Sequence, residues 1–263
     1  MATLVFVHAH PDDECILTGA TIALASRLGL RSVLVYGTRG DAGETSEDLG
    51  GQTLAERRVT ETLAAADVLG ADRIEWLPYA DSGMAGTETT ANPEAFSNAD
   101  PASVADEIVA LLHDEDVFAV VGYDANGTYG HPDHVQVHHV AHALGPAIGA
   151  SWVFEATYSR EYLASLPDAD GTLDPGFAAA EADLTHFVQA EDLLQIKLEA
   201  ITHHWSQVPE EYKNGEAPEG SFRERFGTEW HIATAVAGAT DLGPLEALLT
   251  SKADWPGPLA APD

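Results

Sequence analysis

Two short runs carry imidazole and carboxylate side chains at spacings that can bring them together. In the first, His10 and Asp13 stand three residues apart in a turn opened by Pro11. A histidine beside a carboxylate is commonly no more than a hydrogen-bonded pair, so this run alone does not define a metal site. The second run, His131-Pro132-Asp133-His134, repeats imidazole, proline, carboxylate and imidazole. His10, Asp13 and one histidine of the second run would make a two-histidine, one-carboxylate set with room for water. Such a set suits catalytic zinc and serves ferrous iron as well. The prolines that follow His10 and His131 fix φ and stiffen both turns.

Both runs follow segments that read as strands. Leu4 to Val7 leads into HAHPDDE, Ser32 to Tyr36 into GTRGDAGE, Ile74 to Leu77 into PYADSGMAG, and Val117 to Val121 into GYDANGTYGHPDH. Between them, Gly19 to Leu28, Leu54 to Leu69 and Ala102 to Leu112 have helical spacing. Strands alternating with helices of this length predict an α/β fold: an open, mostly parallel Rossmann-like sheet with helices on both faces. Loops at the carboxyl ends of such strands meet in one crevice, and here those loops hold the unusual residues, so the metal site is expected there. Further on, Asp168 to Glu181 reads as a loop or flap and Asp192 to Trp205 as a helix. Gln207 to Gly227 reads as a turn-rich connection, and Trp255 to Asp263 as a frayed terminus.

Composition narrows the partners. The 263 residues are enough for one substantial core, and 1–263 is expected to be a single domain. Forty-three Asp and Glu against twelve Lys and Arg give a net charge of −31, which argues against nucleic acid and against anionic membrane surfaces. The excess fits adaptation to high salt and fits an ordinary acidic soluble protein equally. A lone Cys15 excludes an intrachain disulfide and a cysteine-rich zinc site. The start, MATLVFVHAH, has no basic segment typical of a secretory signal, and Arg27 interrupts the most apolar helical stretch, so a cytoplasmic location is expected. Assembly into a homo-oligomer is compatible with the sequence.

HAHPDDE, from His8 to Glu14, together with YGHPDH, from Tyr129 to His134, resembles the PIG-L/LmbE-like deacetylases, which remove acetyl groups from N-acetylglucosaminyl compounds. The resemblance runs through Val140 and, more weakly, through KLEAITHHWSQ and GTEWHI. ADSGMAG and YDANGTYGHPDH are similar to the branch that holds the deacetylase and the amidase of mycothiol metabolism. The resemblance implies a zinc-dependent hydrolase of a small N-acetylated amino sugar, or alternatively an amidase of mycothiol-type conjugates. It implies His10, Asp13 and His134 as the metal ligands and Asp12 as general base, a carboxylate placed to deprotonate water that the cation acidifies. It further implies His131 as the acid for the leaving amine, oriented by Asp133, with Tyr129 as donor to the oxyanion. Arg58, Glu44, Asp81 and Met84 are implied as substrate contacts, although Arg58 would serve equally as a helix-surface cation paired with Glu61 or Glu56.

Several residues stay outside this scheme. His138 and His142 continue the helical face of His134 and raise the idea of a second metal; the simpler expectation is that His138 supports the site by hydrogen bonding while His142 reaches solvent or core. His203 and His204 are expected to pack or to support the site, and Cys15 to pack. A dinucleotide-binding oxidoreductase would share the strand–helix alternation, but HAHPDDE stands where a glycine-rich phosphate loop would be needed.

Overall fold

The computed structural model describes residues 2–166, 176–189, 191–213 and 219–259. Eight strands form one mixed sheet: β1 (Thr3–His8), β2 (Arg31–Tyr36), β3 (Arg73–Trp76), β4 (Val117–Tyr123), β5 (Trp152–Thr157), β6 (His186–Val188), β7 (Glu229–Ala235) and β8 (Thr250–Ser251). Their order is β3-β2-β1-β4-β5-β7-β6-β8. The first five pair in parallel, as the alternation predicts for the first four; β5 is not anticipated by the sequence reading. The sequence reading does not anticipate the other edge, where β7, β6 and β8 add antiparallel ladders.

The helices are α1 (Asp13–Leu17), α2 (Gly19–Arg27), α3 (Leu54–Leu69), α4 (Pro101–Leu111), α5 (Gly127–Gly130), α6 (Pro132–Ile148), α7 (Arg160–Ala164), α8 (Glu191–Thr202), α9 (Glu210–Lys213) and α10 (Glu219–Phe226). Local chemistry fixes their ends. Thr53 and Glu56 close a reciprocal capping box at the start of α3, and Gly70, at φ 75°, ends it in the left-handed conformation. Asp100 caps α4 just before Pro101 at its first position. The connection from Gln207 to Gly227, expected to be turn-rich, contains α9 and α10, with residues 214–218 outside the described residues. Trp255 is not frayed either, since its ring packs 4.8 Å from that of Trp230. Most of the expected flap at Asp168 to Glu181 lies outside the described residues.

Strand order sets the position of the crevice. The chain runs from β1 outward to β2 and β3, then crosses back to β4 and β5. With right-handed crossovers, α2 and α3 cover one face while α4 and α6 cover the other, and the loops after β1 and β4 separate in opposite directions. Along β1, Leu4, Val5, Phe6 and Val7 are fully buried, as a strand covered on both faces requires. Among the described residues no helix is long and apolar enough to cross a membrane.

Candidate metal centre and active site

The loop after β1 closes on itself: the His10 backbone N–H donates to Asp13 Oδ2 at 2.9 Å, which sets imidazole and carboxylate side by side. Asp13 reaches across the crevice as well. Its Oδ2 lies 3.7 Å from His10 Nδ1 and its Oδ1 lies 3.4 Å from His134 Nε2, on α6. His131 joins them, so that His10, His131 and His134 present nitrogens within 4.8 Å of one another. The structure thus brings together His10, Asp13 and His134, and adds a third imidazole to the group. Gly127 permits this approach, because a Cβ there would meet the Val135 nitrogen at 2.6 Å.

Asp12 stands at the mouth of this group in a left-handed conformation, φ 91°, uncommon for a residue with a side chain. Burial, reinforced by the charge of Asp13 and opposed by Arg58, pushes its carboxyl up to about 6. Arg58 is nearly fully buried. Its Nη2 donates to the Pro11 carbonyl and lies 3.3 Å from Asp12 Oδ2, while Nη1 donates to the Gly40 carbonyl at 3.0 Å. A Cβ at Gly40 would fall 2.1 Å from that guanidinium. Arg58 therefore braces the loop in addition to lining the cleft. The helix-surface pair forms instead between Arg57 and Glu61, at 2.8 Å.

Asp133 departs from the role expected of it. Its carboxylate accepts N–H groups of Ser82 at 2.9 Å and Ser97 at 2.8 Å, and faces His10 Nε2 at 3.2 Å rather than His131. Those two loop amides need acceptors, and the second residue of α6 is the carboxylate that faces them. The orientation of His131 comes from the main chain: the Asp133 N–H donates to His131 Nδ1 at 3.2 Å. This assigns the proton to Nε2. Asp81 is likewise taken up within the protein, 3.5 Å from His10 Nε2 and holding the N–H groups of Gly83 and Ala42.

Charges divide the imidazoles. Burial opposes charge on His10, but Asp133, Asp81 and Asp13 outweigh it and push its pKa up to about 10. Burial lowers His134 to about 3, helped by the charges of His10 and His131, and also lowers His131. Burial and nearby carboxylates raise Tyr129 well above the usual phenol range, so its hydroxyl, 3.3 Å from His134 Nε2, keeps its proton. Asp12, Asp13, Asp81 and Asp133 together bring more negative charge than Arg58 and the imidazoles balance. The unprotonated imidazoles of His131 and His134 beside surplus carboxylates are a donor set that fits a divalent cation, whose binding would displace the proton that the carboxylates hold on His10.

The cleft over this group measures about 250 Å³ and is lined by Met84, Tyr129, Gln207 and Gly43 besides the residues above. Of the expected substrate contacts, Met84, Asp81 and Arg58 line it; Glu44 is exposed alongside and does not. Two supporting residues escaped the sequence reading. Glu14, fully buried, accepts the Asp12 N–H at 2.9 Å and pairs with His204 after α8. Glu61 accepts both the N–H and the hydroxyl of Ser206, at 3.0 and 2.7 Å. The adjacent motifs HAHPDDE and HHWSQ were the available signal, but their meeting is a tertiary contact.

The family described as "PIG-L: GlcNAc-PI de-N-acetylase" matches residues 5–144. A 1D-myo-inositol 2-acetamido-2-deoxy-alpha-D-glucopyranoside deacetylase of Rhodococcus opacus is 34% identical over 237 residues, covering 78% of this chain and 81% of the relative. A second deacetylase of that name, from Saccharopolyspora erythraea, is 36% identical over 227 residues, covering 78% and 83%. In fold, the chain is similar to N,N'-diacetylchitobiose deacetylase from Pyrococcus horikoshii, with a TM-score of 0.63, 22% identity and coverage of 89% and 84%. With the matched segment spanning both histidine–aspartate loops and the relatives extending over most of the chain, this protein belongs to the PIG-L family.

Proposed function

We propose that this chain is a zinc-dependent hydrolase that removes the acetyl group from an N-acetylglucosamine-type small molecule. The observation that carries the reading is the meeting of Asp12, Asp13, His10 and His131 in one cleft, with the buried His134 against Asp13 and its nitrogen within 4.8 Å of those of His10 and His131. His10, Asp13 and His134 would hold the cation, which supplies Lewis acidity and lowers the pKa of a water molecule. Ferrous iron suits the same donors.

Asp12 takes a proton from the attacking water; a carboxyl raised to about 6 is a stronger base than an ordinary one and still ionised at neutral pH. As the water oxygen bonds to the amide carbon, negative charge moves to the carbonyl oxygen, and the Tyr129 hydroxyl donates to it. The C–N bond then breaks, and the amine takes a proton by way of His131 Nε2, which the proton that Asp12 took from water restores, so that both groups end as they began. Acetate and the free amino sugar leave.

An amidase acting on larger mycothiol-type conjugates would use the same groups. The cleft volume of about 250 Å³ is below the ~300–1,000 Å³ of ordinary ligand pockets, which favours the smaller substrate. We read residues 1–263 as a single domain and the partner as a small acetylated amino sugar. The experiment is metal analysis combined with amine release from a panel of N-acetylglucosaminides. Zinc-restored release after chelation supports the reading, and release indifferent to chelation overturns it.

A further inference from the structure

The face of α6 that presents His134 to Asp13 continues for two more turns. It carries His138 and then His142, four residues apart, so that their rings meet at a tilt of 56° with centroids 4.5 Å apart. Neither lines the cleft. Opposite them stands Glu155 on β5, paired with Gly122 on one side and Ile232 on the other. Its Oε1 is 2.8 Å from His142 Nε2 and its Oε2 is 3.8 Å from His138 Nδ1. His142 reaches solvent, as expected, with about a third of its side chain exposed, and it is also held by a mostly buried carboxylate.

We propose that His138, His142 and Glu155 form a second divalent-cation site, distinct from the one in the cleft. One nitrogen from each ring and one carboxylate oxygen already lie within 4.8 Å of one another. Two imidazoles with one carboxylate suit zinc and its transition-metal neighbours, whereas magnesium and calcium prefer oxygen ligands throughout. Glu155 also stands near the buried carboxylate of Asp124, and the two share a second cleft of about 360 Å³ that admits solvent. Among the described residues no Lys or Arg salt-bridges Glu155; its ion pairs are with the two imidazoles. The competing account is a hydrogen-bonded cluster alone, in which His138 Nδ1 donates to the Tyr123 carbonyl, 3.2 Å away, and His142 to Glu155.

Zinc stoichiometry of the full chain separates the two accounts. After chelation and dialysis against Zn²⁺, the double variant His10→Ala/His134→Ala should retain one equivalent, and adding His142→Ala should remove it. No zinc in the folded double variant, or undiminished zinc in the triple variant, overturns the proposal. Should the double variant not fold, His142→Asn and His142→Ala in the otherwise native chain should each lower the stoichiometry by one while amine release persists. Unchanged stoichiometry there rejects the site. The outcome is independent of the cleft reading, since an error in that reading would leave the loss on His142→Ala intact.

Discussion

The carboxylate of Glu14 accepts the backbone N–H of Asp12 at 2.9 Å and so holds that residue in its left-handed conformation. The other end of Glu14 is paired with His204, both side chains being fully buried. Glu14→Ala should destabilise the protein by ~3–5 kcal/mol, because it leaves an imidazole buried without its counter-charge. Urea unfolding checks this; a loss under ~1 kcal/mol, an ordinary mutational effect, would show that the pair carries little.

Asp12→Ala should lower turnover by about 10²–10⁴-fold while metal stoichiometry is unchanged, since Asp12 abstracts a proton in the proposed scheme and ligates nothing. His134→Ala should lose the metal. Metal analysis beside an amine-release assay reads both, and a metal-free Asp12→Ala protein would require a different base.

His131 tests how the third imidazole is used. As the acid for the leaving amine, its replacement by Ala should cost about 10²–10⁴-fold in kcat with the metal retained. Loss of metal from His131→Ala would instead place it in the ligand set with His10 and His134, whose nitrogens it adjoins.

Acid stability should depend on His231. This ring on β7 is buried, and burial, followed by the charges of His186 and Lys197, lowers its pKa from 6.5 to about 3. Between those values the unfolded chain binds a proton that the folded chain refuses, so stability falls as pH drops through this window, by ~1.4 kcal/mol per pH unit at most. Melting curves from pH 7 to 4 should show a shallower decline for His231→Gln than for the native chain. Parallel declines would mean that His231 does not contribute.

Salt should stabilise the protein. With a net charge of −31, repulsion among carboxylates is widespread, and the exposed pairs that salt also weakens, such as Arg27–Asp192, are worth only ~0–1 kcal/mol each. The melting temperature should rise from dilute to molar sodium chloride. A flat response would assign the acidic excess to solubility alone.

What was legible from sequence was local. The span of α3, Leu54 to Leu69, is legible from its helical spacing, and the structure adds the capping threonine and terminal glycine that mark its ends. The first four strands were legible from their β-branched runs. The antiparallel edge was not, since β6 and β8 are three and two residues long and leave almost no periodicity. At the site, the histidine–aspartate loops declared themselves by repetition. The partners of Asp133, Asp81 and Glu14 did not, because which atoms a carboxylate meets depends on loops brought in from elsewhere in the chain.

The edge that escaped the sequence governs the order in which the molecule is completed. Glu229, the first residue of β7, accepts the N–H groups of Ala20 and Thr21 at 2.8 Å each, across 209 and 208 residues, and pairs with the buried Lys197. Ala20 follows directly on the catalytic loop and α1. During synthesis the amino-terminal strands and both histidine-bearing loops emerge first, yet the start of α2 stays unsecured until residue 229 has been made. The nascent chain thus carries every group of the proposed scheme long before it can hold them in place, and a chain that stopped at the end of the family match would lack that Glu229 anchor.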